Sequence, residues 1–171
     1  MHWIGINMGL DNIPRVYPCQ KENTAITDDD GRIDCEKTIK ANQCPYKREA
    51  ESSVLLKQSG AKPTYGMFGV PCWYRGKYGN MLLALLERGN LDTYGETEYS
   101  FYGDGGDNEG LSIQYCKDMS QFMKNHTEEF AKQAQKNSPG EEAVDLIKDW
   151  VYASWWLDFV AEYADGSAIW Y

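Results

Sequence analysis

The sequence predicts an α+β fold: a small antiparallel sheet packed against two or three helices, the last of them long and rich in tryptophan. Three observations carry this reading. The first two-thirds sets short β-prone pieces between Gly- and Asp-rich turns. The pattern then turns helical, with apolar residues recurring every three or four positions. Four of the six tryptophans (Trp150, Trp155, Trp156 and Trp170) fall near the C-terminus. With 171 residues, 42% of them hydrophobic, the chain has the size and apolar content of a single globular domain over 1–171.

Residues 1–75 read as irregular and turn-rich. Thr24–Thr27 and Arg32–Cys35 flank Asp28-Asp29-Asp30-Gly31, a hairpin turn whose glycine takes a positive φ. Glu36 to Glu51 is polar, and residues 52–63, with Gly60 and Pro63, read as an exposed loop. Tyr65 to Cys72 is apolar and Gly-punctuated, which predicts a buried strand with close backbone approach. Tyr78 to Arg88 predicts a helix stopped at Gly89. Tyr94 to Tyr102 predicts a strand ended by the turn at 103–107. Ser112 caps a helix that carries Tyr115, Met119, Phe122, Met123 and Phe130 to about residue 136. Ser138 and Pro139, followed by Glu141 and Glu142, open the last helix, which ends near Asp165-Gly166. The tail from Ser167 to Tyr171 is apolar and β-prone and is expected to dock.

Charge and composition exclude several classes. Residues 1–90 hold 12 Lys/Arg against 10 Asp/Glu, and 91–171 hold 5 against 16. Free duplex nucleic acid is therefore not expected as a partner, because phosphate binding needs a concentrated basic face. No apolar run is long enough to span a membrane, and the start lacks the pattern of a secretion signal.

Cys19, Cys35, Cys44, Cys72 and Cys116 lie in a chain expected to stay in a reducing compartment. The first four thiols could close a zinc site, but no C-x-x-C pair exists, and buried free thiols are the plainer reading. An EF-hand loop through Gly31 would need oxygen ligands at Ile26 and Lys37, and fails. No metal and no cofactor are expected. His2 and His126 are the two histidines, and His126 lies too far along its helix from Cys116 to form a nucleophile pair. The chain is expected not to be an enzyme.

One stretch concentrates binding chemistry: Cys72-Trp73-Tyr74-Arg75-Gly76-Lys77-Tyr78-Gly79-Asn80. Its aromatics can stack on a base, and its cations can meet phosphate ahead of a helix N-terminus. Trp73, Tyr74, Arg75, Lys77, Tyr78 and Asn80 are thus the expected ligand-binding residues. The competing reading makes Trp73 and Tyr74 core. In the last helix, Trp155 and Trp156 point about 100° apart. Trp155, Trp156, Phe159 and Tyr163 are therefore expected to form a homodimer interface. The alternative is a central helix covered on both sides by the sheet and the 112–136 helix.

The segment from Met8 to Pro14, the CWYRGKYGN stretch, the Ser112–Cys116 helix start and the Trp-rich last helix resemble a group of small bacteriophage-encoded accessory proteins of unassigned function. The resemblance implies Met8 as an ancestral start, with residues 1–7 an extension, and action in the cytoplasm of an infected bacterium. It also implies an anti-defence role. The expected function is sequestration of a nucleotide-derived immune signal, of cyclic nucleotide or ADP-ribose type. The alternatives are an acidic inhibitor that mimics nucleic acid towards a host defence nuclease, and a structural phage protein.

Overall fold

The computed structural model describes residues 11–66, 69–74 and 110–170, with Tyr74 and Trp170 through their backbones alone. The expected helix at 78–88, the strand at 94–102 and the turn at 103–107 lie outside the described residues. Within them the α+β expectation is met. A three-stranded antiparallel sheet has the order β2-β1-β3. Its strands are β1 (Asp11–Pro14), β2 (Trp73–Tyr74) and β3 (Ser167–Trp170). In the central strand, Asn12 faces Trp73 on one side and Ile169 on the other.

The docked tail thus supplies one edge of the sheet. Its entry is a backbone crossing. Ser167 exchanges N–H···O bonds with Leu111, and Gly166 accepts from the Arg15 amide at 3.0 Å. Gly110 and Gly166 have φ of 120° and 95°, and a Cβ on either would run into the opposing backbone. Only glycine lets the chains meet this closely.

Four short helices fill the segment expected to be irregular: α1 (Pro18–Lys21), α2 (Cys35–Lys40), α3 (Pro45–Ser52) and α4 (Val54–Ser59). Their signals are local. Proline sits in the first turn of α1 and α3, the Asp34 carboxylate caps α2, and the Ser53 hydroxyl caps α4. None lasts long enough to display a helical period. The loop expected at 52–63 is overturned by α4, which anchors on the buried Leu56 while Val54 stays exposed. The hairpin at 28–31 is present as a Thr27–Ile33 bridge, with Gly31 at φ 77°. Of the strand expected at Tyr65–Cys72, the described residues keep a single Tyr65–Pro71 bridge, and pairing with β1 starts only at Trp73.

Ser112 caps α5 (Ile113–Asn125) by accepting from the Tyr115 amide at 3.2 Å. The single helix expected to residue 136 breaks at His126, and α6 (Thr127–Asn137) follows. The break has a side-chain cause. His126 Nδ1 engages the Phe122 carbonyl at 2.8 Å, and the Thr127 hydroxyl donates to the Met123 carbonyl at 3.0 Å. The long helix α7 (Glu141–Tyr163) starts two residues after the expected proline, with Gly140 as its N-cap, while Ser138 ends α6.

Helix α7 is the centre of the fold. Residues 150 to 154 are all buried, more than a full turn, so the helix is enclosed on every side. It packs against α4, α5, α6 and β3. Trp150 stacks on Phe130 with centroids 4.1 Å apart and donates its indole N–H to the Met123 carbonyl. The Ser120 hydroxyl donates to the Ser154 carbonyl at 2.7 Å, which marks close approach of α5 and α7.

This arrangement encloses two of the four residues expected at the dimer face. Trp156 is 0% exposed and meets Trp73 of β2, and Phe159 is 4% exposed. Trp155 and Tyr163 are half-buried, stacked on either side of Phe159, with Tyr46 of α3 laid against Trp155 and Phe159. The chain itself covers Trp156 and Phe159. Trp156 has no surface to offer a second copy.

Two hydroxyls tie the layers together. Tyr152 of α7 donates to the Cys72 carbonyl at 2.5 Å, and its oxygen lies 2.6 Å from that of Tyr46. Tyr46 in turn accepts from the Thr64 amide at 2.9 Å. Tyr152→Phe leaves the Cys72 carbonyl without its hydroxyl donor in the core, while Tyr46 keeps the Thr64 amide and carbonyl. We expect a loss of about 1–3 kcal/mol, read as a lower denaturant midpoint at unchanged slope.

A second prediction concerns pH. Burial, and then the Asp145 carboxylate one turn away, push the Asp149 carboxyl up to about 6. In the unfolded chain it titrates near 4. As pH rises from about 4 to about 6 the unfolded state loses this proton while the folded state keeps it, so stability falls across that window. Asp149→Asn is expected to flatten this fall and raise the melting temperature at pH 7, measured by thermal scans at a series of pH values.

Candidate functional site

One concavity opens between the α1 region, the hairpin and the turn before β2. It is an open groove of ≈ 770 Å³ walled by three segments. Tyr17 and Gln20 come from the α1 region, Asp28 to Glu36 from the hairpin and the start of α2, and Gly69 with Val70 from the turn before β2. A volume of this order suits a nucleotide-sized ligand.

Its carboxylates are already engaged. Asp28 accepts from the amides of Asp30 and Arg32 at 3.0 and 2.8 Å, a local turn device. Asp34 caps α2 and pairs with Lys37, contacts that hold its carboxyl below the usual range. Glu36 pairs with Lys40 at 2.6 Å. The Arg32 guanidinium, the Gln20 amide and the Tyr17 hydroxyl make no side-chain hydrogen bond or ion pair among the described residues, and all three border the groove. The groove therefore offers a bidentate cation, an amide with both a donor and an acceptor, and an aromatic ring with a hydroxyl. That set recognises an anionic, planar, hydrogen-bonding ligand.

Behind the groove lies a small, almost wholly apolar cavity of ≈ 10 Å³. Cys19, Cys35 and Cys44 line it together with Tyr17, which faces both spaces. All five cysteines are buried and free. Burial, aided by Cys19 and Cys44, pushes the Cys35 thiol up to about 12, and burial also raises Cys19, Cys44 and Cys72. Burial first, then the nearby Cys35 and Cys19, raise the Tyr17 phenol. Among the described residues no three His, Cys, Asp or Glu side chains converge as a finished metal site.

The residues expected to bind ligand divide into two sets. Trp73 is 2% exposed, with its ring against Trp156, so it is core and cannot stack on a base. The cause is β2: its pairing with β1 turns Trp73 onto the face that α7 covers. The Tyr74 side chain, Arg75, Lys77, Tyr78 and Asn80 lie outside the described residues. Tyr17, Gln20 and Arg32 escaped the sequence reading because each looks like an ordinary surface residue. One signal was present: Arg32 is the sole cation between Lys21 and Lys37, in a run rich in acids. His126, stacked on Phe122 at 4.3 Å, serves the α5–α6 turn.

The thiol burial yields a direct expectation. In the native chain at pH 8 a thiol reagent should label none of the five cysteines rapidly, and in denaturant it should label all five. A fast-reacting thiol in the native chain would contradict the packing of the cavity.

Among the described residues no helix is long and apolar enough to cross a membrane. The chain matches no family model, no curated protein and no solved structure.

Proposed function

We propose that the protein is a binding protein that captures a small nucleotide-derived ligand and withholds it from another effector. The observation that carries this reading is the ≈ 770 Å³ groove with three uncommitted recognition groups, Tyr17, Gln20 and Arg32. In the proposed complex Arg32 meets a phosphate, Tyr17 stacks on the base or bonds the sugar, and Gln20 reads a base edge. A cyclic nucleotide or an ADP-ribose-type signal has this chemistry. The resemblance to small phage accessory proteins supports placing this capture in the cytoplasm of an infected bacterium, as an anti-defence device. The proposed site moves from Trp73 to the groove because a buried indole supplies no stacking face.

The test is a thermal-shift screen of cyclic mono- and dinucleotides and ADP-ribose derivatives, followed by calorimetry. One class should raise the melting temperature, by about 2.7 kcal/mol of stability at a hundredfold excess over Kd. The ligand should be recovered chemically intact after the protein is heated. Arg32→Ala should abolish the shift while leaving the melting temperature of the unliganded protein unchanged. Loss of binding in Arg75→Ala, with Arg32→Ala unaffected, would return the site to the 73–80 stretch. New products in place of intact ligand would show an enzyme. No response to any member, together with a salt-sensitive complex with a host nuclease, would favour acidic mimicry instead.

A further inference from the structure

We propose that the groove takes a nucleotide with a single negative charge, a cyclic mononucleotide, and rejects ligands that carry a second. This inference rests on the capture reading and narrows it. Among the described residues that wall the groove, Arg32 is the one cation, set against the carboxylates of Asp28, Asp34 and Glu36. The cations of the neighbouring short helices are all engaged by acids. Lys21 pairs with Asp165, Lys37 with Asp34, Lys40 with Glu36, Lys47 with Glu51 and Arg48 with Glu22. Asp28, Asp29 and Asp30 make no ion pair among the described residues, and all three lie in the turn that leads into Arg32. The Asp28 carboxylate even accepts from the Arg32 amide, at 2.8 Å.

Contact and range decide which charges win. The first phosphate charge meets a guanidinium at hydrogen-bond distance, where two parallel N–H···O bonds can form. Asp29 and Asp30 are exposed, so water and salt weaken their repulsion of that charge. A second phosphate charge gains no such contact. Away from Arg32 it meets the 28–30 turn, or the lysine pairs of Asp34 and Glu36. A lysine drawn from either pair leaves its carboxylate unpaired beside the ligand. The other recognition groups, the Gln20 amide and the Tyr17 hydroxyl, are neutral and suit a base and a sugar.

Charge therefore separates ligands that share a base. A phosphodiester closed in a ring carries one negative charge, whereas a terminal phosphate carries about 1.5–2 at neutral pH. A cyclic dinucleotide and ADP-ribose each carry two. The groove thus distinguishes an intact cyclic mononucleotide from its own ring-opened product, in which base and sugar are unchanged. A capture protein with this preference holds the signal and lets the spent form go.

The experiment is calorimetry on the full chain. The probes are the four cyclic mononucleotides, the matching linear monophosphates, cyclic di-AMP, cyclic di-GMP and ADP-ribose. One cyclic mononucleotide should bind at least about tenfold tighter than its linear monophosphate, and tighter than either dinucleotide or ADP-ribose, with the gap shrinking in high salt. Asp28→Asn removes a charge from the turn and keeps an oxygen for the Asp30 and Arg32 amides, and it should narrow the gap by about threefold. Glu36→Gln, which releases Lys40, should narrow it too. Equal or tighter binding of a linear monophosphate, a dinucleotide or ADP-ribose would overturn the single-charge preference and leave the capture reading standing. A gap that neither substitution narrows, in chains of unchanged melting temperature, would overturn the groove charges as its cause. Silence from every probe would overturn both readings together. Should Asp28→Asn fail to fold, Glu36→Gln, a change to an exposed side chain, decides alone.

Discussion

The Tyr46–Tyr152 hydroxyl pair is the contact on which the rest of the arrangement hangs. Tyr152 is fully enclosed on the central helix, and Tyr46 is 0% exposed on α3. Between them the two phenols tie three parts that share no secondary structure: the short-helix layer, the turn from Thr64 to Cys72, and α7. The Thr64 amide donates to Tyr46 and Tyr152 donates to the Cys72 carbonyl, while the Tyr46 proton has two acceptors within reach, the Tyr152 oxygen at 2.6 Å and the Thr64 carbonyl at 2.9 Å. Both hydroxyls are shared between neighbours, so the network is costly to open at one link. Burial pushes both phenols far above their ordinary range, which keeps them neutral and able to donate.

That tie sets the position of β2. The Cys72 carbonyl is held by Tyr152, and Trp73 follows directly, turned onto Trp156. Strand β2 then pairs with β1, and β1 with the tail strand, so the sheet is registered against the helix by way of a side chain. This explains why two described residues suffice for a strand. Its place is fixed from outside the ladder.

How much of this was legible depends on how far each signal reached along the chain. Helix α7 is legible because apolar residues persist through it. Trp155 and Trp156 on divergent directions suggest a second copy, yet apolar residues on all sides are also what a central helix shows. The short helices left no period to read, and only their caps and prolines betrayed them. The alternation of Trp, Tyr, Arg and Lys after Cys72 could not distinguish a stacking platform from a strand, because a buried strand and a base-binding loop draw on the same aromatic residues. The groove was the least legible feature. It is assembled from Tyr17, Gln20, Arg32 and the 69–70 turn, segments that become neighbours only after α1 and α2 fold.

The groove and the thiol cavity share Tyr17 and Cys35, and this bears on what the groove can do. A recognition surface gains affinity when its groups are held before the ligand arrives, since ordering them on binding consumes part of the interaction energy. Arg32 sits on a hairpin whose turn is closed by Asp28, and Gln20 on a helix of 4 residues. Neither element orders itself. Their order comes from behind, where α1, α2 and α3 pack around the cysteines, and from the Arg48–Glu22 ion pair at 2.9 Å on the α3 side. An exposed pair of that kind contributes little, about 0–1 kcal/mol. The packing of the cavity wall, together with the bonds from the Thr24 hydroxyl to the Gln43 carbonyl and from the Ile26 amide to the Thr38 hydroxyl, fixes the spacing of Tyr17, Gln20 and Arg32. A change that loosens the cysteines is felt in the groove before it is felt in the α5–α7 core.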